Sequence, residues 1–436
     1  MAERRKLLEY IGSIPPKEFF ELLSQISDPI RKLILIPGIT FTEKVEIIRA
    51  IGEALKMNAD LEILMKIIKI TYPDLYSYIN FIPCSKESKS EEFICNYFKQ
   101  YIISRLMNKP TEKLLEMGTS FHTKGIHITY KHRNSIMSEF RDYPVIWIDA
   151  LGVEWIGLVK KYLETYIPDA KIKIIIGKAS IPTITEFNKP PVDTIILEDI
   201  KELDQVLHSR RYPQNIVDEI ETLKKIISQI LPRLISKNII ITSDHGATQF
   251  NGHIEERIQP PFKGETKRDG RYMVIDQVLS ESGETEDYSV EIREGKTYLV
   301  SKTYKVFPGG RVLYTETHGG ATPEELLVPV IIIEPTKKIE ALENITIFPI
   351  TRELKLINPI LQIRVETPLV INKLEIKINN RVVEGVKKTE KIWIFNLKEL
   401  RLKPGEYTGI VLSDDYGELG EVKFKIKGGM EVEFDL

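Results

Sequence analysis

Five short apolar runs constrain this chain more than any other feature. They are Val145–Ile148, Ile172–Ile176, Thr194–Leu197, Ile239–Thr242 and Leu326–Ile333, rich in β-branched residues and without period-two alternation. Runs of this kind read as strands buried on both faces, the pattern of a largely parallel sheet. Helical text separates them, for example from Ile216 to Ile235, where Pro232 is expected to kink or end the helix. The alternation predicts an α/β fold. In such sheets ligands bind beyond the carboxyl ends of the strands. Asp149 closes the first run and Asp244 follows the fourth, so two acids are expected there.

The text on either side differs. At 436 residues the chain suggests two or three domains. Residues 1–135 read as a helical domain. Thr40 and Glu43 have capping-box spacing, Val45, Ile48, Ile51 and Leu55 share a face, and Leu61 to Ile70 forms a second apolar helix stopped before Pro73. Residues 136–335 carry the α/β text. Residues 336–436 read as a small β-sandwich: Leu354–Ile357, Leu361–Val365, Lys373–Ile378, Ile392–Phe395, Gly409–Leu412 and Glu421–Ile426 are short runs with turn signals at Asn379-Asn380 and Pro404-Gly405.

Charge and composition narrow the function classes. The chain has 61 basic and 63 acidic residues, which argues against a tail-mediated nucleic-acid binder but leaves room for a local basic cleft. Its Lys, Glu and Ile content leans toward a heat-adapted protein. No run of about 18 apolar residues is present, so no membrane span is expected. Met-Ala-Glu-Arg-Arg opens the chain without a signal-peptide core, and a cytoplasmic location is expected. Cys84 and Cys95 are too few for a disulfide scaffold or a cysteine-rich zinc site, and read as buried thiols in a reducing compartment.

The chemistry concentrates in a few polar segments. Asp149, the loop Pro182-Thr183-Ile184-Thr185, the pair Asp204 and His208, the run Ser243-Asp244-His245-Gly246, and Thr317-His318-Gly319-Gly320 supply carboxylates, imidazoles and hydroxyls. Carboxylate and imidazole suit zinc, manganese or iron; carboxylate and hydroxyl suit magnesium or manganese. Taken singly, each has a plain alternative. Asp149 could cap a helix beginning near Gly152, and Asp204 with His208 could be a surface i,i+4 pair. Asp244-His245-Gly246 could be an ordinary turn, His318 a loop histidine, and the threonines ordinary loop residues.

Order and context together resemble the alkaline phosphatase superfamily, and within it the PglZ-domain branch of BREX phage-defence systems. Val-Ile-Trp-Ile-Asp149-Ala-Leu-Gly is similar to the family's opening strand and first metal aspartate. Pro182-Thr-Ile-Thr185-Glu-Phe-Asn188 has the spacing of the nucleotide pyrophosphatase members, which place the nucleophile at the second threonine. Asp204-x-x-x-His208, Asp244-His245-Gly and the closing His318-Gly-Gly-Ala-Thr-Pro-Glu-Glu-Leu-Leu-Val-Pro-Val-Ile complete the likeness, which covers about residues 140–335. The resemblance implies an alkaline-phosphatase-like core and two divalent metal ions, zinc first, then manganese or magnesium. One would take Asp204, His208 and His318. The other would take Asp149, Asp244, His245 and the Thr185 oxygen.

The resemblance further implies that Thr185 attacks phosphorus, with Thr183 in reserve and Asn188 donating to a phosphoryl oxygen. The spacing favours a phosphodiester, and the PglZ likeness points to nucleic acid or oligonucleotides. Lys263, Arg268 and Arg271, in the charged text after Asp244-His245, would contact phosphate; the alternative is a solvated charged loop. Tyr272 would stack on a base or simply pack. A competing reading makes the chain a scaffold of a defence complex, bound to other defence-system proteins, with structural metals. A sulfatase is disfavoured, since neither cysteine lies near the site.

Overall fold

Val145–Ile148 (β1) and Ile239–Thr242 (β4) are buried along their whole length and lie side by side in parallel, with Trp147 opposite Thr242. They form the centre of a five-stranded sheet completed by β2 (Ala170–Lys178), β3 (Ile196–Ile200) and β10 (Leu327–Pro335), in the order β2-β10-β4-β1-β3. β3 is parallel to β1, whereas β10 runs antiparallel to β4. The computed structural model describes residues 17–80, 88–234, 237–277, 279, 283–335, 345–367, 371, 373–379, 381–389, 391–413 and 417–428.

Burial on both faces holds for the central strands and not for the edges. β2 and β3 are mostly half-buried or exposed, because each is hydrogen-bonded on one side only and carries charges such as Lys173, Glu198 and Asp199. The edge run expected from Thr194 begins later, at Ile196, and the one expected from Ile172 begins earlier, at Ala170. The helix Gln214–Leu234 passes Pro232 and closes two residues beyond it.

A second sheet of five antiparallel strands interrupts the α/β text between Asp244-His245 and His318. It comprises β5 (Gly264–Lys267), β6 (Tyr272–Ile275), β7 (Gly283–Glu284), β8 (Tyr288–Arg293) and β9 (Lys296–Ser301), in the order β5-β6-β9-β8-β7. Tyr272, Tyr298 and Val300 from this sheet pack with Ile184 and Ala321, one residue from Thr185 and three from His318.

The chain divides into two compact units. One contains Met1–Pro168, Ile172–Ile227 and Asn238–Ile333; the other contains Asp169–Lys171, Ser228–Lys237 and Glu334–Leu436. The N-terminal helices therefore share a unit with the central sheet. Helix Phe41–Lys56 opens with a reciprocal capping box, Thr40 Oγ1 accepting from Glu43 N at 3.3 Å and Glu43 Oε2 accepting from Thr40 N at 3.1 Å. It buries Val45, Ile48 and Ile51, while Leu55 is half-buried. Helix Leu61–Thr71 stops before Pro73. Helices Lys89–Met107 and Glu112–Thr123 reach the functional loops described below. Cys95 is disulfide-bonded, which corrects the expectation of two thiols; Cys84, the chain's other cysteine, lies outside the described residues. No helix among the described residues is long and apolar enough to cross a membrane.

The second unit is built from two sheets. Thr346–Pro349, Ile360–Glu366, Ile392–Asn396 and Val386–Lys387 make one; Glu353–Lys355, Gly417–Lys427, Gly405–Ser413, Leu374–Ile378 and Arg381–Glu384 make the other. Leu361, Ile363 and Trp393 of the first share a core with Ile376, Val411 and Phe424 of the second, the layering of a β-sandwich.

Candidate metal centre

Every loop that carries a candidate ligand leaves the same end of the central sheet. Asp149 follows β1, Ser243 and Asp244 follow β4, and the helix Glu202–Ser209, with Asp204 and His208, follows β3. Ala179 N donates to Leu326 O at 2.8 Å, bringing the end of β2 beside the start of β10. Thr185 and His318 enter the same place from these two sides. Immediately after Asp149 the chain turns through Ala150, whose φ of 61° lies in the left-handed region. Strain of this kind persists only where its surroundings fix it. Here Ala150 N donates to Asp244 Oδ1 at 3.3 Å and Leu151 N to Ser243 Oγ at 2.9 Å. The next helical turn has Gly152, not Asp149, as its N-cap residue. Gly246 is required by close approach: a Cβ there would collide with the Glu324 carbonyl.

Two groups of ligand atoms converge, each within 4.8 Å: Asp204, His208 and His318, and Asp149, Asp244 and His245. In the first, Asp204 Oδ1 is 3.1 Å from His208 Nε2 and 3.8 Å from His318 Nε2. In the second, His245 Nε2 is 3.3 Å from Asp244 Oδ2 and 3.8 Å from Asp149 Oδ1. The groups adjoin, since the His245 and His318 rings stack with centroids 3.8 Å apart. Thr185 is exposed and donates its Oγ1 hydrogen to Asp244 Oδ2 at 2.7 Å; His245 Nε2 is 3.5 Å away.

Tautomers decide whether these residues fit a cation. His208 Nδ1 lies 2.9 Å from Glu316 O, His318 Nδ1 2.9 Å from Thr183 O, and His245 Nδ1 3.1 Å from Gly246 O. A carbonyl only accepts, so each Nδ1 carries a proton, and a ring in its neutral form then presents an Nε2 lone pair. These lone pairs face carboxylate oxygens, an arrangement that needs positive charge between them. Asp149 Oδ1, Asp204 Oδ1 and His208 Nε2 are buried atoms without a hydrogen bond. Burial first, then the charges of Asp244 and Asp204, push the Asp149 carboxyl up to about 8. Burial alone would raise Asp244 too, but His245, the Thr185 hydroxyl and the Ala150 amide together hold it below the usual carboxylate range. His318 is held well below the usual imidazole range by burial first, then by the charges of His245 and Arg268. His208 is raised by the Asp204 carboxylate beside it. The donor set and its unmet acceptors fit divalent cations.

Other expected residues have different parts. Asn188 is buried, and its amide nitrogen donates to the carbonyls of Ser180 at 2.9 Å and Ile184 at 3.0 Å while its oxygen accepts from Ser180 N. It shapes the Thr185 loop and has no hydrogen to offer a phosphoryl group. Thr183, also buried, donates to Gly320 O at 2.7 Å and accepts from Gly319 N, which removes it as a reserve nucleophile. Arg271 is wholly buried in an ion pair with Glu325 and donates to Thr303 O at 2.7 Å, so it is not a phosphate contact. Arg268 is exposed, sits beside Gly319 and influences His208 and His318 electrostatically. Lys263 is exposed just ahead of β5. Tyr272 is mostly buried, packing with Tyr298 and Ile184.

Sequence reasoning missed the supports. Arg133, buried on the Trp147 ring, donates to Ser243 O at 2.6 Å, Asp244 O at 3.1 Å and Asn188 O at 3.0 Å, clamping two functional loops together. Tyr97 donates to Glu324 at 2.6 Å, Tyr101 to Ala247 O at 3.1 Å, and His122 Nε2 lies 2.8 Å from Ala321 O. None of these sits in a motif; their signal is burial, which only the fold reveals.

Residues 191–333 match the family model of the BREX system PglZ alkaline phosphatase-like domain, a phosphoesterase-type hydrolase domain. The matched stretch, about a third of the chain, contains Asp204, His208, Asp244, His245 and His318; Asp149 and Thr185 precede it. No curated protein matches the chain.

Proposed function

We propose that this chain is a two-metal phosphodiesterase acting on nucleic acid or oligonucleotides in a BREX-type defence setting, with Thr185 as nucleophile. The observation that carries the reading is the exposed Thr185 hydroxyl, 2.7 Å from Asp244 Oδ2 in one ligand group and next to the second group through the His245–His318 stack. Asp204, His208 and His318 would hold one cation, and Asp149, Asp244, His245 and the Thr185 oxygen the other. Zinc suits the three imidazoles best, with manganese or magnesium as alternatives. Bound cations supply the positive charge that makes a threonine oxygen nucleophilic at neutral pH and stabilises a departing oxygen.

The residues define the rest. Thr185 Oγ forms the new bond to phosphorus as the bond to the leaving alkoxide breaks. The leaving group takes up a proton, and water then hydrolyses the phosphothreonine, restoring the hydroxyl. Asn188 and Arg133 hold the Thr185 loop against Asp244 throughout. Arg268, exposed beside Gly319, would meet a non-bridging phosphoryl oxygen.

The test is hydrolysis of bis-p-nitrophenyl phosphate beside p-nitrophenyl phosphate, on chelated protein resupplied separately with zinc, manganese and magnesium. Metal-restored cleavage of the diester is expected, falling at least about 10³-fold in Thr185→Ala. Wild-type rates in that variant would remove Thr185 as nucleophile. Cleavage of the monoester alone would overturn the diester assignment.

A further inference from the structure

Arg105 lies on the helix Lys89–Met107, 99 residues before Asp204, and its side chain is fully buried. Every side-chain nitrogen is engaged. Nε donates to Gln249 Oε1 at 3.2 Å, Nη1 to the Tyr78 hydroxyl at 2.8 Å, and Nη2 to Glu219 Oε2 at 2.6 Å and to Glu316 Oε1. Glu316 is also fully buried. Its backbone carbonyl receives His208 Nδ1–H at 2.9 Å, and its amide donates to Leu207 O at 3.1 Å. Glu316 stands two residues before His318. One buried side chain thus fixes the backbone that orients His208 from outside and delivers His318. The group Asp149, Asp244 and His245 depends on other supports, Arg133 and Ser243 among them.

A carbonyl that takes the Nδ1 proton of a metal-binding histidine sets its tautomer and ring angle, and losing such a partner weakens metal binding. We propose that Arg105 is a positioning residue for the cation held by Asp204, His208 and His318, so that this half of the site is completed by the N-terminal helices. The inference rests on the reading of those three residues as a metal site. It gives the helices a defined part in the chemistry: they hold one cation site of the pair in register through Glu316.

The experiment titrates zinc into the whole chelated protein against a chromophoric chelator, reading both affinities. His318→Ala and His245→Ala identify which affinity belongs to which group. Arg105→Met should weaken the site assigned by His318→Ala by about 10–100-fold, leave the other unchanged, and retain the wild-type circular dichroism spectrum. Equal affinities in folded Arg105→Met and wild type would overturn the proposal while leaving the metal reading intact. Wild-type protein that binds no zinc would overturn both. Should Arg105→Met fail to fold or lose both sites together, Glu316→Gln decides, because it keeps the Glu316 carbonyl and removes the charge that Arg105 grips. Selective loss at the His318 site supports the proposal, and unchanged affinity overturns it.

Discussion

His122 packs against Phe121 and His127, 2.8 Å from the Ala321 carbonyl, which fixes its proton on Nε2. Burial first, then the charges of Lys302 and His127, push its pKa down to about 3. The unfolded chain takes up that proton near the ordinary imidazole value, about 6.5. The contribution is therefore fully present above that pH and is lost as pH falls toward the folded value, at up to about 1.4 kcal/mol per pH unit. His122→Gln, whose amide can still reach Ala321 O, should flatten the difference between urea midpoints at pH 7 and pH 5. Parallel losses in variant and wild type would show that the acid sensitivity lies elsewhere. Residues also mark the limit of reading from sequence. Asp149, Asp244 and His245 were legible because strand-end position and chemistry coincide within a few residues. Asn188 has the right spacing but is turned inward, and Arg105 and Arg133 act from distant helices through contacts that no local pattern encodes.

At the scale of elements, the central strands were legible because burial on both faces leaves an unbroken apolar run. The second sheet was not. Its strand Gly264–Lys267 has the composition of a charged loop, and strands such as Tyr288–Arg293 mix polar with apolar residues and are half-buried over most of their length. Arg271 shows the consequence. It leads into β6 and pairs inside the protein with Glu325, which also accepts from Gly320 N at 2.8 Å and from the Thr322 hydroxyl at 2.7 Å. One carboxylate thus joins the inserted sheet, the glycine pair after His318 and the capping box of the short helix Pro323–Leu326. Arg271→Met would leave that carboxylate buried and unpaired, which typically costs about 3–5 kcal/mol. Urea unfolding should show a loss of this order. A loss within about 0.5 kcal/mol, the range of surface substitutions, would mean that water or another donor replaces the guanidinium.

For the molecule as a whole, the division into two units gives cation binding a local thermodynamic signature. All the candidate ligands, and the helices that support them, belong to the unit that contains the central sheet; none belongs to the β-sandwich unit. Cations that bind only the folded site stabilise it by about 2.7 kcal/mol per site at 100 times the dissociation constant. They also offset the burial and the neighbouring carboxylates that raise Asp149, and give Asp204 Oδ1 and His208 Nε2, two buried atoms without a hydrogen bond, a partner. Zinc should therefore raise the transition of the ligand-bearing unit by several degrees, at about 2–4 °C per kcal/mol for units of this general size, and leave that of the β-sandwich where it was. Calorimetry of the full chain, with and without chelator, resolves the two. In His318→Ala the zinc-dependent shift should shrink while the β-sandwich transition again stays fixed. An equal upward shift of both transitions would mean that the units unfold as one or that zinc acts outside the site. No shift in either would remove the cations from the account and, with them, the role assigned to Thr185.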